Sequence, residues 1–259
     1  MKYVLSLLFI GLVASCSDAS DATAGARVTL RTRIDGMPEA AAPFVNAKGW
    51  SVTLSEAKVS AGPFYYFDGS VLLAHRSPSG RDRLLEALGI RSAWAHPGHY
   101  IAGAARGEML TPINDIDLRS GVVALPPGAG VTGTVRSATF TFGESDLTRD
   151  VIRLAGVATK GLTQRGFTVK VKQGDMLNAS GNARVEGCPF VETNVTQGGV
   201  VSVHVALPVW FDQVEFQELP ESSAQVPVAI TAEMVAHNAL VRGIKASDGY
   251  LFKFTKDMP

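Results

Sequence analysis

Between Gly49 and Gly62 the chain reads GWSVTLSEAKVSAG, with apolar side chains at every second position: Trp50, Val52 and Leu54, then Ala57, Val59 and Ala61. A period of two marks a half-buried strand, because successive side chains of an extended chain point to opposite faces. The parity changes between Leu54 and Ala57, which is what one extra residue near Glu56 does in a β-bulge. Similar short runs follow Val28 and Leu30 along the chain. They cover residues 64–67, 71–74, 122–125, 133–142, 150–159, 167–172, 183–186 and 200–207, with a closing strand at 250–255. Turn signals separate them: Asp68-Gly69 as a hairpin turn joining 64–67 to 71–74, PPGAG at 126–130, and QGG at 197–199. Helical spacing is confined to two segments. Residues 79–88 place Leu84, Leu85 and Leu88 on one face with Gly89 as C-cap, and residues 230–245 form the second segment. The pattern predicts a mainly β fold, an antiparallel β-sandwich or open barrel with one or two short helices, in a single domain over residues 27–259.

The N-terminus carries a different message. Lys2 supplies a positive charge, residues 4–13 are apolar apart from Ser6 and Gly11, and Ala14-Ser15 are small residues directly before Cys16. This predicts a secretory signal peptide over 1–15 that ends at a lipid-attachment cysteine, so that Cys16 carries a covalent lipid such as palmitate. The apolar stretch is too short for a membrane span, which needs roughly 20 residues. Residues 16–26 are small and polar and form a flexible tether. The expected location is the bacterial cell envelope, lipid-anchored. Ser17 after the cysteine favours the outer membrane, with the domain facing the periplasm or the cell surface. With Cys16 acylated, Cys188 is the one thiol left, so no intramolecular disulfide can staple the fold. Cys188 is expected to be a small buried hydrophobe. The 24 basic and 24 acidic side chains cancel, which leaves no electrostatic footprint for nucleic acid.

Candidate chemistry lies in the histidines. AWAHPGHY, at 93–100, places His96 and His99 three residues apart around Pro97-Gly98, and such a turn can aim both rings at one point. Neutral imidazole suits copper or zinc, and a site needs three or four donors. His75 is the candidate third ligand. Tyr100, Glu108 and Met109 are candidate weak or outer-shell partners. In the alternative reading the imidazoles hold the turn by hydrogen bonds to backbone. His204 falls on the polar parity of VSVHVAL, and His237 lies in the second helical segment.

The order of features resembles the MbnP-like family, methanobactin-associated copper-binding proteins. Those features are the lipid-attachment signal, the polar tether, GWSVTLSEAKVSAGPFYYFDG, the HPGHY loop and the C-terminal RGIKASDGYLFKF. The likeness spans residues 28–255. It implies a β-sandwich that binds a copper ion through histidines, in some members beside an oxidised tryptophan; zinc is the less favoured metal on the imidazole chemistry alone. Carried over, it names His75, His96 and His99 as ligands and Trp94 as their neighbour. Many relatives carry several cysteines, whereas this domain keeps only Cys188.

No enzyme signature is present: there is no GxSxG, HExxH, Walker loop or GxGxxG after a strand. Trp210-Phe211 and the run Phe64 to Phe67 are expected to build core rather than a sugar platform. Two functions therefore compete. One is an envelope-anchored metal-binding module. The other is a non-enzymatic structural or interaction lipoprotein without metal, with the membrane and an envelope protein as its partners.

Overall fold

The computed structural model describes residues 25–69, 103–143 and 146–257. Among them are fourteen strands: β1 (Arg27–Asp35), β2 (Phe44–Val45), β3 (Ser51–Ala61), β4 (Phe64–Phe67), β5 (Ala105–Met109), β6 (Ile113–Asp117), β7 (Val123–Val131), β8 (Gly133–Thr141), β9 (Asp150–Lys160), β10 (Thr163–Lys172), β11 (Arg184–Val195), β12 (Gly199–Val205), β13 (Val228–Ile230) and β14 (Tyr250–Lys256). Two α-helices join them, α1 (Leu207–Phe211) and α2 (Val235–Ile244). The fold is mainly β, as the alternation predicts. Eight strands close a barrel in the order β1-β12-β14-β11-β8-β4-β5-β7, and a second sheet runs β13-β10-β9-β3-β2 with β6 also on β3. The barrel is closed, and it mixes directions: β1 runs parallel to β12 and β11 parallel to β14. Closure removes the free edges that an open barrel would leave.

The barrel is filled by aromatic rings from alternate positions. Phe140 lies 4.4 Å from Tyr250 and 5.0 Å from Phe64 between ring centres, and Phe252 packs edge-on against both Phe64 and Tyr66. A Cβ at Gly130 would meet Leu30 Cδ1 at 2.7 Å, so glycine thins the wall where Leu30 turns inward. The second core surrounds Trp50, Phe167, Phe211 and Phe216. Helix α1 ties the two together: Trp210 faces Tyr250 of the barrel at 6.1 Å, while Phe211 meets Phe44 and Phe167 of the sheet at 5.8 Å each. The two sets of buried side chains form one continuous core. Both Trp210-Phe211 and the inward half of the 64–67 run belong to it.

Several sequence expectations change on folding. The bulge near Glu56 is present: Leu54 pairs with Gly156 and Glu56 with Ala155, leaving Ser55 as the extra residue. PPGAG, expected as a turn, lies inside β7. There Leu30 pairs with Gly128 and Thr32 with Leu125, so Pro126 and Pro127 together oppose the single residue Arg31. Prolines lack the N–H a ladder needs, and a bulge is where a ladder can spare it. The strand expected at 183–186 continues to Val195 through two interruptions, the first at Gly187, whose φ of 71° suits a bulge. The helix expected from residue 230 starts at Val235, because Val228–Ile230 pair with Phe167, Thr168 and Val169 as an edge strand. Leu207 opens α1 rather than ending β12, with Pro208 in the first turn. The expected strand at 71–74 and helix at 79–88 lie outside the described residues. β4 itself is paired on one edge with β5 and on the other with β8.

Candidate functional site

Cys16, His75, His96, His99, Trp94 and Tyr100 all lie outside the described residues. The structure does describe the two points where segment 70–102 leaves and rejoins the barrel, and they are held together. The Asp68 N–H donates to the Ala104 carbonyl at 3.1 Å. The Asp68 carboxylate accepts from Ala104 N at 2.7 Å, Arg106 Nε at 2.9 Å and Arg106 Nη2 at 2.6 Å. Ser137 Oγ donates to the Gly69 carbonyl at 2.6 Å. Partial burial pushes the Asp68 carboxyl up, but the Arg106 and Ala104 bonds to its ionised form outweigh this and hold it below the usual range. Gly103, with φ of 68°, is required here: a Cβ would stand 2.3 Å from Asp68 Oδ1. Asp68-Gly69 therefore opens a clamp at the barrel rim.

Beside the clamp, Arg27, Arg106 and Glu108 line a cleft of about 390 Å³ between β1, β5 and β7. Glu108 and Met109 do not face the same way. Met109 is wholly buried against the core, while Glu108 points outward into this cleft, because neighbouring residues of a strand alternate. They cannot serve one site together. Among the described residues no group of three or more His, Cys, Asp and Glu side chains gathers as a metal site would require. Cys188 is withdrawn from solvent; its thiol donates to the Val185 carbonyl at 3.4 Å, and burial pushes its pKa well up. It is a neutral core residue, not a soft ligand at the surface.

Two further histidines enter the picture only through tertiary pairing. His204 Nδ1 stands 3.0 Å from the Asp35 carboxylate, because the parallel register of β1 and β12 sets Asp35 opposite His204. The Nδ1 edge of the ring therefore faces the carboxylate. His237, on α2, is buried near Asp175. Sequence reading located both rings but neither acid, since each acid comes from a distant part of the chain. The only signal was parity: His204 falls with Ser202 on the outward side of β12.

Compared with known proteins, the chain matches no family model, no curated protein and no solved structure.

Proposed function

We propose that this chain is a lipid-anchored protein of the bacterial envelope whose barrel presents the histidine-bearing segment 70–102 to a metal ion, copper first and zinc second. The observation that carries this reading is the Asp68–Arg106 clamp, which brings both ends of that segment to one point on a closed, aromatic-filled barrel. A rigid wall with a loop pinned at its base holds donor side chains better than a loop whose ends can separate. His75, His96 and His99 are the proposed ligands, and as imidazoles they would supply neutral nitrogen donors. Cys16 is the proposed lipid attachment point. It keeps the domain at the membrane on the tether that ends before Arg27.

The test is titration of the purified chain with Cu(I), Cu(II) and Zn(II). Stoichiometric binding that disappears when His96 and His99 are both changed to Ala supports the reading. Binding no tighter than that of a scrambled 93–100 peptide removes the metal and leaves the structural or interaction lipoprotein. The anchor is checked separately: Cys16→Ser is expected to release the protein from the membrane fraction.

A further inference from the structure

Helix α2 buries Ala236, Ala239, Leu240 and Ile244 against the core, and His237 with them. Between this helix and the short 3-10 helix Gln173–Met176 lies a cleft of about 610 Å³, whose lining includes Asp175, His237, Asn238, Arg242 and Lys245. His237 is only 3% exposed, yet among the described residues its ring has no hydrogen-bond partner. The nearest carboxylate oxygen, Asp175 Oδ2, is 4.0 Å from Nε2, beyond hydrogen-bond reach. That oxygen already accepts from Lys172 N at 3.0 Å. The His237 ring nitrogens are not among the fully buried polar atoms left without a partner, so the ring directs its small remaining exposure to the cleft, where Nε2 is open to a ligand. Since Nε2 is the ring atom nearest Asp175, which itself lines the cleft, the unpaired edge is turned towards the opening.

The charges around that edge choose the ligand. Lys245 Nζ donates to the Leu177 carbonyl at 3.0 Å, which fixes the ammonium at the cleft while leaving it two further protons to donate. Arg242 adds a second cation from the exposed side of α2. Against these stands Asp175 in the lining, with Glu233, one turn before His237, acting on the same ring. Two cations disfavour a metal ion, and Asp175 and His237 are too few donors to hold one. We propose that the cleft binds a small oxyanion, a carboxylate or phosphate group, with Arg242 and Lys245 as charged donors and His237 Nε2–H as the third. This site is independent of segment 70–102, of the lipid and of any metal.

The experiment follows the imidazole resonances of the full chain, purified in detergent at constant pH, during titration with inorganic phosphate and, separately, acetate. The His237 signal is assigned from its loss in His237→Gln. A saturable shift with a Kd of about 1 mM or tighter is expected for at least one anion, and the arm that responds identifies the class. Arg242→Gln, at an exposed position that should leave the melting temperature unchanged, is expected to weaken binding about ten-fold, the factor that losing one charge-assisted bond brings. Lys245→Gln is expected to weaken it at least as much. The proposal is overturned if neither anion moves His237 saturably, or if Arg242→Gln binds as the parent does.

Discussion

Inside the barrel, Phe64, Phe140, Tyr250 and Phe252 touch ring to ring and are wholly withdrawn from water, whereas at its rim the Asp68 and Arg106 side chains each remain a quarter exposed. The interior is held by area and shape, which have no preferred direction. The clamp is held by three hydrogen bonds to one carboxylate, which are directional and local. Stability should therefore reside in the first region, and the placement of segment 70–102 in the second. Damage to one need not damage the other.

The largest effect should come from the interior. Phe140→Ala removes a ring in contact with Phe64, Phe142 and Tyr250 and is expected to cost about 3–5 kcal/mol, read as a lowered urea midpoint. A cost below about 1 kcal/mol would mean that the barrel is not packed as described. At the rim, Asp68→Asn should cost less, about 1–2 kcal/mol, and its cost should depend on pH. The folded state holds the Asp68 carboxyl below its unfolded value, so its contribution is present above that unfolded value, about pH 4, and is lost as pH falls through the lower folded value. Parent and Asp68→Asn midpoints should thus converge in acid; a gap that stays constant down to about pH 3 would show that the ionised carboxylate is not what the clamp uses. On the outward barrel wall, His204→Gln breaks a partly buried pair with Asp35 and should cost about 1 kcal/mol. Smallest of all, Leu162→Ser at the tip between β9 and β10 alters a fully exposed side chain and should stay within about 0.5 kcal/mol. If it matters more, that tip is engaged by something the isolated chain lacks.

Much of the architecture was legible along the chain because it is local. Alternation marked β3, β9, β12 and β14, and the parity break at Glu56 located a real bulge. The misreadings share one cause. Pro126-Pro127 and Gly187 carry turn chemistry, but each is spent inside a strand where an extra residue is bulged out, and only the partner strand reveals that. Ile230 carried helical spacing yet was taken by pairing with Val169. The strand expected after Asp68-Gly69 lies outside the described residues, and both edges of β4 are taken by β5 and β8.

By itself, then, the sequence determined the class of fold, the absence of a disulfide framework in the domain, the burial of Cys188 and the order of most strands. These follow from side-chain period and composition, which act between near neighbours. The tertiary structure decided which acid meets which base. Asp68 with Arg106, Asp35 with His204 and Asp175 near His237 are separated by 38, 169 and 62 positions, and no local rule couples residues so far apart. Parallel register, barrel closure and the docking of α2 bring them together, because burying the apolar faces fixes where every polar side chain on the opposite faces must stand.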